Sequence, residues 1–230
     1  LTARRARGTF LHMTAPHDTL LGHNALGHRA LVRLLERLQT AAAEDPTGAT
    51  LRRGIAAAVT ALRAHHTGED EVLVPFLRAR AGTTEALAAL HTDHERVAAA
   101  IARLERAPAA DLADAVGQVL RTFADHCTRE EALFAALPWG TLATSDEVRT
   151  VGKALSDHAR RHLRPAYVQL PLLLFNLDPD ERRAFTDRMP SVVGRLVVPW
   201  VFRPGWRHLR PFLTHAPRPV LSRAGGAGIR

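Results

Sequence analysis

The sequence predicts an all-α fold, an up-down-up-down antiparallel four-helix bundle with a C-terminal helical extension. Three observations carry this. Alanine, leucine and arginine dominate the 230 residues while valine, isoleucine and aromatics are sparse, a composition that favours helix over sheet. Four successive segments carry apolar residues at alternating steps of three and four, the spacing of one buried helix face. The breaks between these segments are short and rich in proline or glycine, which makes consecutive helices antiparallel neighbours. The expected division is an N-terminal segment at 1–16, the bundle at 17–140, and a basic helical extension and tail at 141–230.

Pro16 opens the first helix, which is expected to run to about Ala43 and close at Asp45-Pro46-Thr47-Gly48. Its apolar row is Leu31, Leu35 and Leu38, and extending it backwards reaches His28 and Asn24. The second helix is expected from Thr50 to Arg80 with a bend at Pro75, which lacks a backbone donor. Its row reads Leu51, Ile55, Ala58, Leu62, His65, Glu69, Val72, Phe76. After the turn at Ala81-Gly82-Thr83-Thr84 the third helix gives Leu87, Leu90, His94, Val97, Ile101 and Leu104. Pro108 breaks the chain, and the fourth helix gives Leu112, Val116, Val119, Phe123, His126, Glu130, Leu133 and Leu137 before Pro138-Trp139-Gly140 ends the pattern.

Each row is interrupted by polar residues where burial is costly unless they are charge-paired, hydrogen-bonded or metal-bound. Reflecting each helix about the turn that follows it brings His28, His65, Glu69, His94, His126 and Glu130 to one level of the bundle. One His-x3-Glu pair alone is also the spacing of a surface salt bridge. Two such pairs, His65/Glu69 and His126/Glu130, level with a seam histidine on each remaining helix, point instead to metal. Six or more such donors exceed the needs of one tetrahedral zinc and suit two carboxylate-bridged ions, iron or manganese in preference to a softer metal. His23 competes with His28 for the first-helix position, and His91 is a candidate seventh ligand. His66, Asp70, Glu95 and Glu131 fall off the seam, where they are expected to be solvated or to hydrogen-bond the ligating imidazoles. His12 and His17 are expected at the surface, Cys127 as an inert helical cysteine, and His158 and His162 on a solvated helix face. No Walker loop, nucleophile elbow or HExxH sequence occurs.

Residues 20–140 resemble a hemerythrin-like, or HHE cation-binding, domain. The resemblance rests on the repeated His65-His66-Thr67-Gly68-Glu69-Asp70 and His126-Cys127-Thr128-Arg129-Glu130-Glu131, and on the matching spacing of His94-Glu95-Arg96-Val97 and His28-Arg29-Ala30-Leu31. It implies two non-haem iron ions held by His28, His65, Glu69, His94, His126 and Glu130, manganese being the alternative metal, with an O₂-derived bridging or terminal ligand. It further implies a protein that binds or reacts with O₂ or a related small oxidant such as peroxide or nitric oxide. The alternative is a diiron oxidase or oxygenase that oxidises a small organic substrate through a peroxo-diferric intermediate. Members of the actinobacterial type often carry a C-terminal extension. Reversible oxygen carriers of the family have five histidines and two carboxylates, with His-x3-His on the third helix; this chain has His91-x2-His94 there. The Glu-x-x-His sequence of ferritin-like diiron enzymes is absent.

The net charge of +8 is uneven. Residues 1–140 hold 16 arginines against 16 acids, whereas eight arginines and no acid follow Asp187. Thr144 and Glu147 form a capping box for a helix to about Leu163, and Asp178-Pro179 opens another to about Arg188. Two expectations for the extension follow: a helical layer folded over one flank of the bundle, or a surface of Trp200, Phe202, Trp206 and Phe212 among arginines that docks an anionic partner such as lipid headgroups, nucleic acid or an acidic protein. The Gly225-Gly226-Ala227-Gly228 stretch reads as a flexible tail. The basic N-terminus lacks the apolar run of a signal peptide, Met13 is a candidate start, and no transmembrane segment is expected. The single cysteine suits a reducing cytoplasm.

Overall fold

Four long helices surround the core of the computed structural model, which describes residues 15–82, 84–186 and 189–217. Helix α1 is Pro16–Glu44 and α2 is Ala49–Gly68; a π-helical turn, Glu69–Leu73, joins α2 to α3, Val74–Ala81. Helix α4 is Glu85–Arg106 and α5 is Leu112–Ala136. All described regular structure is helical. The expectations for His12, Met13 and the 225–228 tail concern residues outside the described ones.

The apolar rows account for the packing. Leu31, Leu35 and Leu38 of α1, Leu51 and Leu62 of α2, Leu87 to Leu104 of α4, and Leu112 to Phe123 of α5 are buried at their row positions. Each such side chain contributes about 1.5–3 kcal/mol through burial. Helix α1 packs on α2 and α5, and α4 packs on α5 and α2. Cross-helix contacts fix the directions: His28 meets Glu131 whereas Gln39 lies against Gly117, and Arg63 meets Glu105 whereas Asp70 meets His94. Helices α1 and α5 therefore run antiparallel, as do α2 and α4.

The chain beyond the fourth bundle helix comprises α6 (Trp139–Leu142), α7 (Ser145–His162), α8 (Ala166–Leu174), α9 (Pro179–Thr186), a second π segment at Val193–Val201, α10 (Arg203–Trp206) and a 3-10 turn at Arg207–Phe212. It packs on the α1/α2 side: α7 and α8 touch both helices, as does the final 3-10 turn. Leu172, Leu174, Leu177, Val198, Trp206, Leu209 and Phe212 join the core built by α1, α2, α4 and α5. Arg33 of α1 clamps this layer, donating to the Asn176 carbonyl at 3.0 Å and to Glu181 at 2.6 Å.

This arrangement corrects two expectations. Trp206 and Phe212 are 2% exposed and serve the core, so of the four proposed docking aromatics only Trp200 is exposed, with Phe202 partly covered. The Trp206 indole donates to the Val198 carbonyl at 2.9 Å, the partner a buried ring nitrogen requires. His158, expected on a solvated face, is buried at 1% exposure, because α7 lies against α2 and turns that histidine inward. No helix among the described residues is long and apolar enough to cross a membrane.

Gly54 admits the layer: a Cβ there would lie 2.7 Å from Phe212 and 2.8 Å from Leu38. Gly54→Ala is expected to cost about 1–3 kcal/mol by overpacking, measurable as a lower urea midpoint. The α7 capping box forms, and its Glu147 carboxyl sits at about 2 instead of 4.5, held there by the Thr144 backbone amide, the Arg80 guanidinium and the Thr144 hydroxyl. A depressed folded-state value means that the stabilisation is complete above 4.5 and lost as pH falls towards 2. Glu147→Gln should therefore lower the melting temperature near neutral pH, with the gap from the wild-type protein closing in acid.

Candidate metal centre

The centre begins with a local conflict in the second helical pattern. Pro75 has no N–H and its ring would press on the carbonyl of Glu71, so a regular α-turn cannot continue through it. The chain instead widens: the Val74 amide bonds back to the Glu69 carbonyl, and the turn Glu69–Leu73 is π-helical. The bend expected at Pro75 is thus taken up one turn earlier. The extra residue also shifts the inward face by one position. Leu73 and Leu77 are buried where the heptad row named Val72 and Phe76, which are only partly covered.

All six residues named from the sequence lie in one layer. One donor atom from each of His28, His65, His126 and Glu130 lies within 4.8 Å of the others, and the same holds for His66, His94 and His126. His126 belongs to both groups. Glu69 spans them, with Oε1 3.3 Å from His65 Nε2 and Oε2 3.3 Å from His94 Nε2. Glu130 Oε2 lies 3.1 Å from His28 Nε2 and 3.2 Å from His126 Nε2, while its Oε1 accepts from the Asn24 amide at 3.1 Å.

His66 is the correction. It was expected off the seam, yet it is 6% exposed and its ring centre stands 4.8 Å from that of His94 and 5.0 Å from that of His126. Consecutive helical residues diverge by about 100°, yet His65 and His66 both bring their rings to His126, at 6.4 and 5.0 Å. The remaining alternatives separate clearly. His28 is buried in the layer, whereas His23 meets the Phe185 ring edge-on at 5.7 Å. The His91 side chain is 55% exposed, lying near Asp70 and Glu95 outside the cluster. Cys127 is buried, and burial pushes its thiol up, so it remains protonated.

Two acids set the imidazole orientations. Asp70 Oδ1 lies 2.7 Å from His94 Nδ1, and Glu131 Oε1 lies 2.8 Å from His28 Nδ1. Each therefore accepts the outer ring proton and turns Nε2 of its histidine inward. The two signatures work alike: in each, the glutamate faces the centre and the next acid reaches the histidine of a neighbouring helix. Phe123 closes one side, its ring 5.8 Å from those of His28, His65 and His66.

Most of the donors make no hydrogen bond to one another. Both oxygens of Glu69, Glu130 Oε2, both His126 nitrogens, His94 Nε2 and His66 Nε2 are buried without a hydrogen-bond partner. An unsatisfied buried polar atom costs about 1–3 kcal/mol, and a cation placed among these lone pairs would relieve several at once. The donor set thus fits metal. Burial, with the Glu130 charge beside it, raises Glu69 to about 8. Burial also opposes ionisation of Glu130, but the His126 and His28 imidazoles beside it, 3.2 and 3.1 Å from Oε2, overcome it and hold that carboxyl well below the usual range. His94 rises to about 9 despite burial, through its contacts with Asp70 and Glu69. Cation loading must displace such protons.

The family model of the hemerythrin HHE cation binding domain matches residues 25–138. This part of the chain is a hemerythrin-like HHE domain. Its family binds cations, and the His/Glu layer is compatible with that role. No curated protein and no solved structure matches the chain. Within the HHE domain, Asp70→Asn and Glu131→Gln are expected to weaken metal affinity about 10–100-fold each while leaving helicity unchanged, as measured by competition with a chromogenic chelator.

Proposed function

We propose that the HHE domain holds two iron ions in this layer and that the protein binds or reacts with O₂ or a related small oxidant, peroxide or nitric oxide. The observation that carries the reading is the pair of donor groups sharing His126 and spanned by Glu69. Four helices supply five imidazoles and two carboxylates: His28, His65, His66, His94, His126, Glu69 and Glu130. Manganese would suit the same oxygen and nitrogen donors.

His66 bears on the choice between oxygen binding and oxidase chemistry. The carrier pattern takes its extra histidine from the third bundle helix, where this chain has only His94 facing inward. Here His66 brings the imidazole count to five from the second. This supports oxidant binding ahead of oxidation of an organic substrate. Two ferrous ions, when bound, supply the electrons that reduce the oxidant. The chain's own groups do the rest: Asp70 and Glu131 orient two imidazoles, Asn24 holds Glu130, and Phe123 excludes water from one side.

Iron analysis of the reconstituted protein is the first test: two irons per chain are expected, and His65→Ala and His126→Ala variants that still hold two overturn the reading. His66→Ala should keep about half the wild-type iron, since it removes a donor from one group only. Stopped-flow spectra of the reduced protein with O₂ then separate the two reactivities. A long-lived band reversed by deoxygenation supports binding, and substrate-accelerated decay of a transient supports the oxidase.

A further inference from the structure

His158 and His162 lie one turn apart on α7 with their rings stacked, centroids 4.0 Å apart and planes 8° from parallel. The π turn presents Glu71 to this pair, and one donor atom from each of the three lies within 4.8 Å of the others. Gly68 makes room for the ring, since a Cβ there would stand 3.2 Å from His158 Cδ2.

The hydrogen bonding of His158 leaves one atom unexplained. Its Nε2 is 3.1 Å from Thr67 Oγ1. The Thr67 hydroxyl gives its single proton to the Arg63 carbonyl at 2.8 Å, so towards His158 it accepts, and the imidazole hydrogen belongs on Nε2. Nδ1 then carries a lone pair. That atom is buried without a hydrogen-bond partner and faces Glu71 Oε2 at 3.5 Å. Two acceptors turned towards each other call for a positive charge between them.

We propose that Glu71, His158 and His162 form a peripheral site for a divalent transition ion of the zinc class, distinct from the inner centre. Two imidazoles and one carboxylate are a donor set that tetrahedral zinc accepts with its fourth position open, whereas calcium and magnesium prefer all-oxygen shells. Ligand atoms around such an ion stand about 3.4 Å apart, close to the existing Nδ1–Oε2 separation. The exposed side chains of His162 and Glu71 are free to close the remaining distance. Because Glu71 shares its turn with Glu69 and Asp70, the bound ion would fasten α7 to the segment that builds the inner centre. The proposal does not depend on which metal the inner centre takes.

Zinc titration of the chelator-stripped full-length protein tests it, comparing wild type with His162→Ala and Glu71→Gln. Both changed residues are exposed, and unchanged circular-dichroism spectra would verify the fold. Each variant should bind one zinc equivalent fewer than wild type and retain the rest of the isotherm. Zinc should also raise the melting temperature of wild type more than that of either variant. Equal stoichiometry and affinity in all three proteins would overturn the site and leave a proton on His158 Nδ1 as the bridging charge. Loss of every equivalent at once would also overturn it.

Discussion

The interior of this bundle is governed by the cost of burying five imidazoles and two carboxylates in one layer. Apolar packing above and below cannot satisfy those groups, and the helices cannot turn them outwards without exposing the leucines that share their faces. His126 sits between Phe123 and Glu130 on one buried row of α5, all three fully enclosed. The layer is therefore held by its surroundings, with buried ring nitrogens and carboxylate oxygens left unpartnered, a condition that a cation would relieve.

The two halves of the layer are built by one rule applied twice. A histidine and a glutamate one turn apart face inward, and the acid after the glutamate steers the neighbouring helix's histidine, Asp70 with His94 and Glu131 with His28. The halves are not equivalent. Only the first contains the π turn, which gives Glu69 its place between the two donor groups and carries Glu71 to the opposite side of the helix. The residue after the first signature histidine is His66, buried against His94 and His126; after the second it is Cys127, a buried neutral thiol.

The C-terminal layer is part of this construction. Phe212 and Trp206 complete the hydrophobic core on the α1/α2 side, Arg33 fastens the layer by its carbonyl and carboxylate contacts, and α7 lies against the π turn. The arginines at 195, 203, 207 and 210 remain exposed, which keeps the outer face basic. Charge asymmetry in the sequence thus marks the solvent side of a layer whose apolar side is committed to the core.

Helical class, the order of the four bundle helices and the level of His28, His65, Glu69, His94, His126 and Glu130 were legible from sequence, because seam residues repeat every three or four positions and short turns force antiparallel neighbours. The same periodicity misplaced Val72 and Phe76, since a π turn adds a residue that no row reveals. It also missed His66 and His158. Whether a residue beside the seam is buried depends on how neighbouring helices pack and on which surface a later helix covers. Trp206 and Phe212 failed for a related reason: an aromatic among arginines reads alike whether it faces a partner or the chain's own core. Sequence by itself determined which side chains share a helix face wherever the helix stays α. Only the tertiary structure decided which faces meet and which buried polar atoms were left without a partner, because those depend on contacts between segments far apart in the chain.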